Sequence, residues 1–322
     1  MSRSPAGDPA ELVTRARDGD ARAVARLISL VEDQSPLLGE VARALAPHTG
    51  RAHVVGLTGA PGVGKSTTTS ALVTALRASG RRVGVLAVDP SSPFTGGALL
   101  GDRVRMQEHA TDVGVFIRSM ATRGHLGGLA AAAPQAVRVL DAAGCDVVLI
   151  ETVGVGQSEV EVAGLADTTV VLLAPGMGDA IQAAKAGILE IGNVYCVNKA
   201  DRDGADVTAR ELRSMLAIGR NVEGEDAPQW RPPILKTVAS RGEGIDELLD
   251  EIDRHRSHLV EHEELELRRR LRARAEIEAL VVAGVRSGLS RGDAAQQLDR
   301  LAADVVSGET DPYTAAAILT PR

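Results

Sequence analysis

The segment Gly59-Ala60-Pro61-Gly62-Val63-Gly64-Lys65-Ser66, followed by Thr67, has the spacing GxxxxGKS. Glycines at those positions let backbone N–H groups turn inward around a phosphate. The lysine then reaches its β and γ oxygens, and the serine hydroxyl ligates Mg²⁺. A helix opening at Ser66 adds its N-terminal dipole. The lysine is informative in itself. The chain holds four lysines against thirty-two arginines, and Lys65, Lys185 and Lys199 all lie in or after candidate nucleotide-binding segments. A chain that writes its positive charge as arginine keeps lysine where a wide planar guanidinium does not fit, and a phosphate cradle is such a place.

Acidic groups must hold the cation from the other side. Glu151 ends the apolar run Asp146–Ile150, where P-loop proteins put their metal-side acid. Asp89 ends a second run, and Asp102 follows a long Ser/Pro/Gly loop. Ser66, Asp89, Asp102 and Glu151 are therefore the candidate Mg²⁺ ligands, although each carboxylate also suits a turn or a helix cap.

Asn198-Lys199-Ala200-Asp201 fits NKxD after an apolar run. The aspartate accepts from guanine N1–H and the N2 amino group, a donor pair that adenine lacks, and a site built on such bonds discriminates strongly. Ala239 and Ser240 would offer backbone contacts to guanine O6. GTP and GDP are the expected ligands.

Glu151-Thr152-Val153-Gly154 is similar to a DxxG switch with Glu in place of Asp. The Gly154 N–H would sense the γ-phosphate and let residues 155–159 rearrange on hydrolysis. Val155 stands where a water-positioning glutamine often follows this glycine, and Gln157 comes later. Weak intrinsic hydrolysis that needs a partner is expected, with Gln157 either positioning water or serving as a solvated amide. In the turn Pro175-Gly176-Met177-Gly178-Asp179 and on to Lys185, Asp179 and Lys185 either exchange ion-pair partners or Asp179 simply caps a helix. Lys65, Glu151, Gln157 and Lys185 are the candidate catalytic groups.

Strand–helix alternation must position these residues. Apolar runs at 54–57, 83–88, 113–117, 147–150, 169–173, 194–197 and 233–238 read as strands, with helices at 66–78, 129–143, 180–191 and 245–255 between or after them. The expected fold is α/β, a mostly parallel P-loop NTPase sheet with helices on both faces, whose ligand sites lie at the carboxyl ends of the strands. Residues 8–46 read as two short amphipathic helices. Residues 259–274 are dense in charge, with Glu264–Arg268 and Glu266–Arg270 spaced i,i+4, and read as one long solvated helix leaving the nucleotide domain. Ile277, Leu280, Val281 and Val285 restore an apolar face, and further helices follow at 293–306 and 312–319. The domain reading is 1–50 N-terminal helical extension, 51–258 P-loop domain and 259–322 C-terminal helical arm. The arm needs a partner for its apolar face, either a second copy in a homodimer or its own domain.

The length of 322 residues suits one large domain with appendages, and 25% charged residues are ordinary for a globular protein. Aromatic content of 2% leaves the core to Ala, Val, Leu and Ile. The net charge is -7, and no basic tract suggests nucleic acid as the main partner. No apolar stretch reaches the ~20 residues of a membrane span. The N-terminus lacks a signal-peptide pattern, and isolated Cys145 and Cys196 read as buried small hydrophobes in a reducing compartment, so a cytoplasmic location is expected.

Taken with these motifs, the blocks VDPSSPFTGGALLGDRVRM (88–106), RGHLGGL (123–129), IETVGVGQSE (150–159), PGMGDAIQAAKAGILE (175–190) and DPYTAAAIL (311–319) resemble the MeaB/ArgK-type GTPase chaperones of adenosylcobalamin-dependent methylmalonyl-CoA mutase, within the SIMIBI class. The resemblance implies a homodimer through the C-terminal arm, GTP-gated delivery of adenosylcobalamin to the mutase, protection of that enzyme, and its adenosyltransferase as a further partner. It also makes 175–190 an extra switch that responds to the mutase.

Three other readings stay open. A kinase acting on a transport-system protein would use the same phosphate loop, but no second substrate motif accompanies it. A metallochaperone GTPase would draw on His255, His258 and His262, which share one helical face at i, i+3 and i+7 in a segment whose charge suggests solvation. A scaffold would use GTP only as a structural ligand.

Overall fold

The computed structural model describes residues 8–90, 106–122, 128–152, 163–176, 190–220 and 230–319. The expected helix at 180–191 lies almost wholly outside them, as do Asp102, Gly154, Gln157 and Lys185. Among the described residues, strands β1 (His53–Thr58), β2 (Val83–Pro90), β3 (Val115–Thr122), β4 (Val147–Thr152), β5 (Thr168–Leu173), β6 (Val194–Val197) and β7 (Ile234–Lys236) form one sheet in the order β3-β2-β4-β1-β5-β6-β7. Every neighbouring pair is parallel. The fold is thus the α/β P-loop type that the alternation implies.

A parallel sheet is covered on both faces, so its strands read as continuous apolar runs. Alternate residues serve two cores. Val55 and Leu57 of β1, Val83 and Val85 of β2, and Val147 and Leu149 of β4 pack with helix α4 (Lys65–Ala78) and the later helix over Ile245–Glu261. Val54, Leu86, Val88, Val148 and Ile150 point the other way. They meet α5 (Gly128–Ala142) and the N-terminal helices α1 (Pro9–Arg17), α2 (Ala21–Glu32) and α3 (Leu38–Leu45). Leu27 and Ile28 of α2 are wholly buried in that layer, each contributing about 1.5–3 kcal/mol. The N-terminal helices therefore complete one face of the sheet.

Local chemistry explains where the elements depart from the sequence reading. Residues 8–46 make three helices: Gly19 at φ 91 and the Asp20 cap, which accepts from the N–H of Arg22 at 2.8 Å and of Ala23 at 3.3 Å, separate the first two, and Gln34 at φ 48 precedes the third, unexpected one. Strand β3 begins at Val115, and Val113 is 97% exposed. Asp112 makes the turn there, accepting from Gly114 N at 2.7 Å while pairing with Arg77 at 2.8 Å. The last strand is three residues long, not six.

After α6 (Ala205–Arg220), helix α7 (Ile245–Glu261) runs past the expected end at His255. The expected continuous solvated helix from Leu259 to Arg274 is not formed: Glu263 at φ 59 breaks it, and α8 (Glu264–Leu289) starts anew. Leu259 is fully buried at its start, whereas residues 260–263 are exposed as expected.

The Cα packing divides the chain into residues 1–269 and 270–322. Arg269 belongs to the first unit. Its guanidinium donates to Asp167 Oδ2 at 2.7 Å, Ala52 O at 2.9 Å and Gly50 O at 2.5 Å. The second unit comprises the rest of α8, then α9 (Gly292–Ser307) and α10 (Pro312–Leu319), with Leu301 and Ala315 its buried residues. Ile277, Leu280, Val281, Val282 and Val285 of α8 are at least half exposed or nearly so. No helix among the described residues is long and apolar enough to cross a membrane. Burial pushes the Cys145 and Cys196 thiols up to about 12 and about 11, so both stay protonated.

Candidate functional site

Strand β1 ends at Thr58 and the chain turns through 59–64 into α4. Gly59 (φ 140) lies against strand β5, and a Cβ there would sit 2.2 Å from Leu172 O. Gly64 (φ 98) is the N-cap of α4 with no side-chain cap. A Cβ at Gly64 would meet Asn198 Nδ2 at 2.3 Å. The loop therefore closes only without side chains at these two positions. Between them Val63 is buried in the α4 core. Lys65 is also buried, and its Nζ donates to Gly59 O at 2.5 Å and Ala60 O at 3.1 Å. The ammonium thus lies across the mouth of the loop, at an uncapped helix N-terminus suited to an anion.

Residues 198–201 follow β6 directly and come up against this loop. Asn198 donates from Nδ2 to Val63 O at 2.8 Å, while its Oδ1 accepts from Ala239 N at 3.1 Å and Thr237 Oγ1 at 3.2 Å. One buried amide therefore ties three segments together: the phosphate loop, the NKxD segment and the turn at 239–241. Lys199, at φ 58, donates from Nζ to Gly62 O at 2.6 Å. Asp201 is exposed and lies 3.6 Å from Arg241, which also pairs with Glu243 at 2.9 Å. Ala239 is buried beneath α4, whereas Ser240 is exposed.

Glu151 is 2% exposed at the end of β4, in register with Leu57 of β1 and Ala87 of β2. Its Oε2 accepts from Thr69 Oγ1 at 2.6 Å, which holds the carboxylate against the second turn of α4, near the helix start that carries Ser66. The register places residue 89 two positions beyond Ala87 on β2. No group of three His, Cys, Asp or Glu among the described residues could hold a metal by itself. That suits Mg²⁺, which keeps several waters and takes one or two protein ligands alongside phosphate oxygens. Ser66 and Glu151 are the described residues that fit it.

Sequence reasoning missed Thr69, Thr237 and Arg241. Thr69 had a weak signal, as a polar residue four positions from Lys65 on a buried helix face. It also misread the histidines of α7. His255 is fully buried, with Nδ1 2.8 Å from Thr168 Oγ1, and Thr168 lies 2.8 Å from Nε2 of buried His53. Trp230 packs edge-on against His255 with ring centroids 4.9 Å apart. The face thus runs from buried His255 through half-buried His258 to exposed His262, and no cluster of three metal ligands forms there among the described residues.

The phosphate loop, the acid at the end of β4 and the guanine-type NKxD segment, all at one edge of a parallel sheet, define a P-loop GTPase of the SIMIBI class. The model of the methylmalonyl-CoA mutase-associated GTPase MeaB family matches residues 24–293, and the chain belongs to that family. It is 49% identical over 313 residues to a putative GTPase of Pyrococcus abyssi, covering 96% of this chain and 95% of that protein. It is 36% identical over 266 residues to the mitochondrial methylmalonic aciduria type A homolog of Mus musculus, covering 82% of this chain and 64% of that one. Among solved structures, that of an LAO/AO transport system kinase superposes with a TM-score of 0.72 at 27% identity, over 99% of this chain and 98% of that chain.

Proposed function

We propose that this GTPase is the chaperone of an adenosylcobalamin-dependent methylmalonyl-CoA mutase, gating cofactor loading and protecting the enzyme. The observation that supports it most is the Asn198 bridge, which makes the guanine segment and the phosphate loop one unit, together with family membership.

In this reading residues 59–67 cradle the phosphates, and Lys65 exchanges the Gly59 and Ala60 carbonyls for β and γ oxygens. Asp201 reads guanine N1–H and the N2 amino group, while Lys199 covers the base and Ala239 and Ser240 face O6. Mg²⁺, when bound, neutralises charge on the β and γ oxygens. Ser66 and Glu151 would hold it, with Thr69 fixing the Glu151 carboxylate, and Asp89 and Asp102 are further ligand candidates. Gly154, Gln157 and Lys185 keep their proposed switch roles, which make intrinsic turnover slow and partner-dependent.

The exposed apolar face of α8 is the homodimer surface in this account, with residues 51–258 as the nucleotide domain and 259–322 as the arm. The mutase and its adenosyltransferase are the proposed partners, in the cytoplasm.

The kinase reading has one observation in its favour, the name of the solved transport-system relative. Phosphate transfer from labelled GTP to a protein would establish it. GTP turnover measured with and without the host's mutase tests the main reading: several-fold stimulation supports it, and an unchanged rate with no complex opposes it.

A further inference from the structure

A second cavity lies away from the phosphate loop. Its volume is about 520 Å³, within the range of small-molecule sites, and it is lined among others by Arg17, Arg51, Arg256 and His48. Arg51 precedes β1 and Asp146 precedes β4, so the cavity lies at the amino ends of the strands, whereas the phosphate loop follows their carboxyl ends.

The backbone around Arg51, one of the cavity's lining residues, is held by several hydrogen bonds. Asp141, 9% exposed, accepts from the N–H groups of Gly50 at 2.5 Å, Arg51 at 3.2 Å and Ala52 at 2.9 Å. Arg269 takes the carbonyls of Gly50 and Ala52, and Arg256 Nη2 donates to Arg51 O at 3.1 Å. The Arg51 side chain is thus mounted on a rigid support. Arg17 reaches the same cavity from the last turn of α1, and Arg256 from α7.

Three guanidiniums and three carboxylates line the cavity, and they differ in how far their polar atoms are already engaged. Arg15, Arg77, Arg81, Arg118 and Arg269 each have an acidic partner. Neither the Arg17 nor the Arg51 guanidinium has one among the described residues. Of the cavity's acids, Asp141 spends both oxygens on backbone N–H groups, and Asp146 gives one to Arg82 N at 2.7 Å. Asp18 caps the end of α1 through its backbone N–H, so its exposed carboxylate is an open acceptor beside the one remaining oxygen of Asp146. Open donors therefore outnumber open acceptors. Three guanidiniums arriving from three chain segments suit a tetrahedral dianion better than a planar carboxylate, because a phosphate accepts from several directions at once.

We propose that this cavity binds the phosphate group of a small phosphorylated compound, at a site separate from the nucleotide. The test is calorimetric titration of inorganic phosphate into the full chain held saturated with GDP and Mg²⁺, with succinate as a second titrant. Arg51→Gln and Arg17→Gln keep every backbone bond around residue 51, and Arg254→Gln is the control outside the cavity.

The proposal expects one saturable phosphate site per chain. Loss of one charge-assisted contact should weaken it about tenfold or more in Arg51→Gln, with a smaller loss in Arg17→Gln and none in Arg254→Gln. Four results would overturn it: no saturable binding, equal loss in all three variants, binding abolished by Lys65→Ala but untouched by Arg51→Gln, or binding of succinate without phosphate.

Discussion

The two constrained glycines of the phosphate loop give a ranking that the structure fixes in advance. Alanine at 59 must place its Cβ 2.2 Å from the Leu172 carbonyl oxygen, in the backbone of a central strand that cannot withdraw. Alanine at 64 places it 2.3 Å from Asn198 Nδ2, a side chain that can rotate, at the expense of its bond to Val63. Alanine at 62, also at positive φ (79), meets nothing within 4 Å. Left-handed backbone strain alone costs about 1–2 kcal/mol, which is the whole expectation for Gly62→Ala. Gly64→Ala adds a lost hydrogen bond and a buried group left unpaired, for about 2–4 kcal/mol in all. Gly59→Ala adds overpacking against fixed backbone, for about 3–5 kcal/mol.

Urea unfolding of the three variants measures the ranking. Titration with a fluorescent GDP analogue measures the consequence for the site, and Gly64→Ala should lose at least about tenfold in affinity as the Asn198 bridge opens. If Gly62→Ala costs as much as Gly59→Ala, backbone strain and not close approach sets the loop. If Gly64→Ala binds GDP like the parent, the Asn198 bridge does not organise the site.

Three further outcomes follow from other parts of the molecule. Arg269→Ala removes the guanidinium that pairs with the fully buried Asp167 carboxylate and should cost about 3 kcal/mol in urea unfolding, with partial recovery in Arg269→Lys. Burial holds His53 down at about 4 and His255 at about 3, so their stabilisation is complete above the unfolded value of about 6.5 and is lost as pH falls from there toward 4. Near pH 5 each should contribute a slope of about 1.4 kcal/mol per pH unit, and His255→Phe should remove one share. Thr69→Val frees Glu151 Oε2 from its hydroxyl and should raise the Mg²⁺ concentration for half-maximal turnover several-fold, with GDP affinity in EDTA unchanged; an unshifted Mg²⁺ dependence would separate Glu151 from the metal.

The phosphate loop, the strand ends and the parallel sheet were legible because each is a local pattern. GxxxxGKS follows an apolar run and opens a helix, and buried parallel strands leave unbroken apolar runs. The joins between segments were not legible. Nothing near Asn198 announces that its amide bonds to Val63, 135 positions earlier. The His53–Thr168–His255 chain likewise draws on three elements, and in sequence His255 sits among charges that suggested solvent. Arg269 reads as one more charge on a solvated helix until its partners at Gly50, Ala52 and Asp167 come together in the fold. The third N-terminal helix, α3, was hidden for a local reason: it is eight residues long and its N-cap, Leu37, offers no side-chain cap.

The most direct test of the account is GTP turnover by the full chain, with and without the host's methylmalonyl-CoA mutase and with Lys65→Ala as the blank. The account predicts slow turnover alone and several-fold stimulation by the mutase, both lost in Lys65→Ala. A rate unchanged by the mutase, with no complex formed in a non-hydrolysable GTP analogue, would contradict the chaperone function and leave a GTPase with a different partner.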